Sequence, residues 1–260
     1  LRDAVKSKRL PSWRLLAGML GGSFVALQTQ IVPLVGVAIY SVASLAGQTA
    51  MSLLVDRIGL TGGGVKHISP RRIFAALITV VAVLVSVLDR IDAHNLSLIA
   101  VTGAGLAGFF VGIQRALNGQ INEYSGQSFT TSFLNFITGT SFLFLLMVGG
   151  LIIHKAHVTP LPLGPWWLYT GGVIGVIYIA FTSTIVQHLG VLTFTLFSVA
   201  GNLVGALLID VVSPIHGVRL SMYIVAGIAI SYLGVMVGGT RSVPLRPHIS
   251  KHSDQKRSEQ

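Results

Sequence analysis

Displaced by 154 positions, residues 13–56 of this chain fall on residues 167–210 without a gap. Fourteen of the 44 pairs are identical, among them Trp13/Trp167, Gly18/Gly172, Gly36/Gly190, Ser44/Ser198, Gly47/Gly201 and Asp56/Asp210. Chance matching at this composition gives roughly three or four. Both copies are almost wholly apolar, so whatever fold the chain adopts must hold two similar units, each surrounded by something other than water.

Composition names that surrounding. Hydrophobic residues make up 52% of the 260, charged residues 10%, and the mean hydropathy is +0.76. A soluble domain carries about 25% charged residues, so this chain lacks the polar surface to face water. Its apolar windows have the length a helix needs to cross a bilayer core. Eight spans are expected, near 15–35, 37–55, 73–88, 96–113, 130–153, 167–186, 191–209 and 220–238. A barrel would show alternating segments of about ten residues instead. The expected class is therefore an all-α polytopic membrane protein. The basic start before the first apolar run has the outline of a secretory leader. That run is long, however, and Ala17-Gly18 lies inside the repeat, so it reads as an uncleaved span. The absence of Cys removes disulfides and thiolate metal sites, the histidines lack ligand spacing, and no cofactor is expected.

Charge sets the orientation. Counting Arg115 as part of a loop, one side of an eight-span arrangement collects 15 Lys and Arg and the other only Arg90, Lys155 and Arg219. The positive-rich side, with both ends of this chain, is expected in the cytoplasm. The net charge of +10 arises from those loops and tails, so no nucleic-acid partner is implied. Membrane lipids and a small-molecule solute are the expected partners, with pairing of two copies as a further option.

Asp56 closes the second expected span and Asp210 the seventh. Five spans separate them, an odd number, so equivalent residues lie on opposite sides and the repeats are inverted. Inverted halves can exchange inward-open and outward-open shapes around a site near the midplane. Two of the five spans of the second copy have no counterpart before residue 1. The expectation is thus eight visible spans of ten: a first repeat over 1–95 that lacks two spans, a complete second repeat over 96–240, and a basic disordered tail over 241–260.

Residues 108–118 (GFFVGIQRALN), followed by a small-residue helix with Ser132, Asn135 and Gly139, resemble one recognisable stretch of the drug/metabolite transporter superfamily. Residues 165–210 resemble another: Trp166-Trp167, Gly171-Gly172, Gly175, then Val199-Ala200-Gly201-Asn202 and Leu207 to Asp210. The closest similarity is to its bacterial inner-membrane subfamily, built from two five-helix inverted repeats. Members often carry Gln at the position of Asn202, as Gln48 does in the first copy. The resemblance implies transport of a metabolite or drug-like solute across the bacterial cytoplasmic membrane, without catalysis.

No expected span holds a carboxylate near its middle, which leaves amides and hydroxyls as the buried polar set. Gln28, Gln48, Gln114, Asn118, Asn135 and Asn202 are the candidate pathway residues. Gln114 and Asn118 share a helix face, and Gln48 and Asn202 are repeat equivalents. An unsatisfied amide in hydrocarbon costs several kcal/mol, so each must face a helix or a wet cavity. A neutral, amide-lined path suits an uncharged, zwitterionic or amphipathic solute. Asp56 and Asp210 either latch a gate, Asp56 through Arg57, Lys66 or Arg72, or only end a helix. The pairs Gly18-Gly22, Gly108-Gly112, Gly171-Gly175, Gly201-Gly205 and Gly234-Gly238 favour close helix packing. Three rivals stay open: a membrane scaffold or regulator that moves nothing, a membrane-embedded lipid-modifying enzyme, and a channel, which would call for a ring of like groups.

Overall fold

A computed structural model describes residues 10–61, 63–88, 97–153, 164–212 and 222–239. Seven helices and two single turns of 3-10 helix make up the described chain: α1 (Ala17–Arg57), α2 (Pro70–Ser86), α3 (Leu98–Ser125), α4 (Ser128–Ile152), α5 (Gly171–Leu189), α6 (Val191–Val212) and α7 (Met222–Gly239). Four segments are long and apolar enough to cross a membrane: Ser12–Arg57, Leu98–Ser125, Ser128–Ile152 and Gly171–Leu189. The tail over 241–260 lies outside the described residues.

The 41 residues of α1 are two arms rather than one rod. Gly36 breaks the helix with φ 79° and ψ 160°, a conformation that costs a residue bearing a Cβ but not glycine. Phe24 and Tyr40 then meet with ring centroids 6.1 Å apart. On a straight helix their sixteen-residue separation would span about 24 Å, so the chain doubles back. The same construction recurs at α5 and α6. Gly190, the match of Gly36, has φ 87° and ψ 163°. Tyr178 and Phe194, the matches of Phe24 and Tyr40, pack at 6.4 Å, with interplanar angles of 56° and 54° in the two pairs. Pro11 and Pro165 are also matched, and each starts a 3-10 turn before its hairpin.

Small residues set the spacing between these helices. A Cβ at Gly47 would collide with the Gly105 carbonyl oxygen, and one at Gly108 with that of Ser44, so α3 lies almost backbone to backbone against the second arm of α1. Gly18 and Gly22 seat the first arm on Asn135 and Gly139 of α4 in the same way. The pairs Gly18-Gly22, Gly108-Gly112 and Gly234-Gly238 thus pack as expected. Gly201 and Gly205, and likewise Gly171, meet no described atom within 4 Å, so that part of the packing expectation is corrected.

Helix α2 starts at Pro70, whose missing N–H suits a first turn, behind a Ser69 cap that accepts from the Arg72 amide. Displaced by the repeat offset, α2 falls on α7. The two pack against each other, with Gly227 on Ser86, Gly234 on Thr79 and Gly238 on the Ala75 side chain. Numbers rise along one helix as they fall along the other, so the pair is antiparallel.

Candidate functional site

Two arrangements of polar side chains lie where α1, α3, α5 and α6 converge. The first is a cavity of about 270 Å³ whose walls include Phe24, Gln48, Gln114, Arg115, Tyr178 and Asn202. Leu45, Val111, Thr195, Ser198 and Val199 complete the lining. Matched positions of the two hairpins therefore face one space: Gln48 with Asn202, and Phe24 with Tyr178.

Arg115 changes the character of that cavity. Sequence reasoning assigned it to a loop, because an apolar window ends at Ile113. The structure carries α3 on to Ser125, and Gly126 ends the helix in the left-handed region with φ 65°. Arg115 consequently sits inside the helix with 9% of its surface accessible. It donates to the Thr195 hydroxyl at 3.0 Å and the Tyr178 hydroxyl at 3.2 Å, and its guanidinium lies 5.3 Å from the centre of the Phe194 ring. Among the described residues the one ion pair joins Asp56 and Arg72, so no described carboxylate partners Arg115. The cavity wall is therefore not neutral. The signal available in the sequence was the run of small residues Gly112, Ala116 and Gly119, which carries tight helix packing straight through the charge.

The six amide candidates separate into distinct settings. Gln48 is buried at the cavity wall, with a weak donation to the Ser44 hydroxyl at 3.3 Å. Asn202 also lines the cavity. Gln114 lines it too, yet its amide donates to the Asn135 side-chain oxygen at 2.9 Å, and Asn118 donates to that same oxygen at 3.1 Å. Asn118 and Asn135 do not line the cavity; they and Gln114 form a buried knot that joins α3 to α4. Gln28 is exposed on the first arm of α1, away from the cavity.

The second arrangement is centred on Asp56, which is fully buried at the end of α1. Its carboxylate accepts from the backbone amides of Val191 at 2.8 Å and Leu192 at 3.2 Å, and pairs with Arg72 from the start of α2. The first amides of a helix have no partner within it, and negative charge there is favoured by the helix dipole. Asp56 thus supplies the N-terminal cap of α6 across a gap of 135 residues. Lys66 closes the same corner, donating its side chain to the His188 carbonyl at 3.3 Å and its backbone amide to the Asp56 carbonyl at 2.8 Å. Burial lowers the pKa of Lys66; the Asp56 charge opposes that shift and Arg72 adds to it. Of the three basic partners expected for Asp56, Arg72 makes the ion pair. The Asp210 side chain lies outside the described residues. Between this corner and the cavity, Met51, Val55, Ala116, Val186 and Val191 form a buried apolar plug.

Ser52 and Thr195 approach to 3.1 Å between α1 and α6. With Asp56 on Val191, this fixes an antiparallel register for the second arm of α1 against α6. The same register carried one turn further sets Gln48 opposite Val199, and both line the cavity.

The family model described as "Putative inner membrane exporter, YdcZ" matches residues 2–85 and 99–237, most of the chain and all the residues of both arrangements. No curated protein matches the chain. The chain belongs to this family, which is of the DMT transporter type.

Proposed function

We propose that the chain is a secondary transporter that moves a small solute across the cytoplasmic membrane by alternating access, its two repeats being inverted halves around the cavity. The observation that carries this reading is the antiparallel register of matched helices. Helices α2 and α7, related by the repeat offset, pack antiparallel, and so do the second arm of α1 and α6. Two similar units set antiparallel about a shared cavity can exchange inward-open and outward-open shapes around it.

In this reading the Asp56 corner is a closed gate. One carboxylate ties α1, α2 and the start of α6 together, and the apolar plug beneath it separates the cavity from that end. Asp210 plays the same part at the other end in the alternate state, capping the second arm of α1 at Val37, which here has 67% of its surface exposed. Gln48 and Asn202 belong to the solute path, whereas Gln114, Asn118 and Asn135 mainly hold α3 to α4.

The chain has no native Cys, so single reporters can be placed without background. Val186→Cys, inside the plug, and Val37→Cys are each reacted with a membrane-impermeant maleimide in sealed vesicles, with and without Asp56→Asn. The expected result is that Asp56→Asn raises labelling at residue 186 and lowers it at residue 37. Labelling that is unchanged at both sites, or that rises at both, overturns alternating access.

A further inference from the structure

We infer that the solute taken by this cavity is a small monoanion with a flat apolar or aromatic body, bound through Arg115; this rests on the cavity being the solute site proposed above. A guanidinium keeps its charge at any accessible pH. Placing one at the centre of a membrane helix costs about 2.5–3.5 kcal/mol even on the most lenient scale. Buried charges are ordinarily paired, and the corner only one helix turn beyond the plug obeys that rule with Asp56 and Arg72.

Arg115 does not. Its described partners are two neutral hydroxyls and the face of Phe194, which leaves three of its five N–H donors without a partner among the described residues. The Tyr178 hydroxyl accepts from the guanidinium and keeps its own hydrogen to turn toward an incoming acceptor, whereas Thr195 donates its hydrogen to Ser52, whose own hydrogen goes to the Gln48 carbonyl. Arg115, Thr195 and Tyr178 all line the cavity. The remaining guanidinium donors and the Tyr178 hydroxyl offer a fork matched to a carboxylate or sulfonate, the bidentate geometry at which guanidinium excels.

The rest of the wall selects the body of the solute. Phe24 and Tyr178 present rings into the cavity, Leu45, Val111 and Val199 present alkyl surface, and Gln48 and Asn202 present amides. Among the described residues no acidic one lines the cavity, so a cation there meets the repulsion of Arg115. A volume of about 270 Å³, just below the range for drug-sized ligands, has room for a body of about one ring. A multiply charged anion such as a phosphate monoester would bring a second negative charge with no second cation to receive it.

The test uses the purified full chain and measures the thermal unfolding midpoint against benzoate, phenylacetate and benzenesulfonate. The neutral benzamide and the cationic benzylammonium are run at matched concentration and ionic strength. A charge-assisted hydrogen bond contributes about 1.5–3 kcal/mol, so at least one of the anions is expected to bind about tenfold to a hundredfold more tightly than benzamide. Arg115→Gln is expected to abolish that preference and Arg115→Lys to keep part of it. Failure of all three anions to exceed benzamide overturns the inference, as does preference for benzylammonium or an anion preference that survives Arg115→Gln. The wild-type comparison decides the matter even if the variants fold poorly. Loss of anion preference with the reciprocal labelling of residues 186 and 37 intact would reject the solute class alone; loss of that reciprocity would reject the transporter reading itself.

Discussion

Removing the charge of Asp56 weighs the corner that closes one end of the cavity. Asp56→Asn preserves volume and one acceptor oxygen, but it takes away the charge that Arg72 pairs with and one of the two oxygens that hold the Val191 and Leu192 amides. A hydrogen bond to a charged group contributes about 1.5–3 kcal/mol, and breaking a buried ion pair by removing one partner costs about 3–5 kcal/mol. Arg72 retains 14% of its surface in solvent and two other acceptors, the carbonyls of Lys66 and His67, so the lower part of that range applies. A loss of about 2–3 kcal/mol corresponds to roughly a thirty- to hundredfold shift toward the unlatched form. Amide hydrogen exchange reads this directly, because the first amides of a helix have no acceptor inside it and Asp56 is what protects residues 191 and 192. Exchange in a peptide covering residues 186–195 should accelerate by about that factor, while the middle of α3 stays protected. Exchange of residues 191 and 192 within twofold of the parent rate would refute the assignment of Asp56 as the cap that fastens α6 to α1.

Three further outcomes follow from the same geometry. Gly36→Ala and Gly190→Ala impose the same backbone strain, of order 1–3 kcal/mol, but a Cβ at Gly190 would lie 2.9 Å from an Asp56 oxygen and 2.7 Å from the Lys66 nitrogen, whereas none is met at Gly36. Thermal denaturation should therefore show the larger loss for Gly190→Ala, and equal losses would contradict the asymmetry of the two hinges. Asn135→Leu strands two buried amides, Gln114 and Asn118, and should lower stability by about 2–4 kcal/mol; Gln48→Leu, which gives up one long hydrogen bond, should cost at most about 1 kcal/mol and act on solute binding instead. Burial holds the Lys66 pKa below its ordinary value, so the closed corner favours the neutral amine. Closure should strengthen as pH rises from the lowered pKa toward the ordinary one, and amide exchange at residues 191 and 192 should lose that trend in Lys66→Met.

Much of this architecture was legible in the amino-acid order because it rests on features that sequence displays directly. Apolar windows gave helix positions to within a few residues for α2, α4, α6 and α7, since bilayer thickness and helix rise leave little choice of length. The matched glycines Gly36 and Gly190 gave the turning points of both hairpins, since glycine tolerates the positive φ found there. Gln48 and Asn202, matched positions of the repeat, line one cavity. What did not show was pairing across long separations. Nothing in residues 52–60 states that Asp56 caps a helix beginning at Val191; that follows only once two helices adopt a register. Sorting Gln114, Asn118 and Asn135 from Gln48 likewise required knowing that one oxygen of Asn135 receives two donors.

Arg115 shows most clearly where the sequence argument breaks. Hydropathy treats a charge as the end of a span, and the positive-inside count treats it as a marker of the cytoplasmic side. Both rules assume that a charge in hydrocarbon has nothing to bond. Here α3 passes through its charge because small residues on one face hold it against α1, and because α5 and α6 bring two hydroxyls and an aromatic ring to the guanidinium. The same residues that make burial of the charge tolerable leave part of its bonding capacity open to the cavity. Removing Arg115 from the loop count changes the tally on the expected positive-rich side from 15 to 14 against three. A cavity read as neutral carries one fixed positive charge, and the monoanion we infer as its solute supplies the counter-charge.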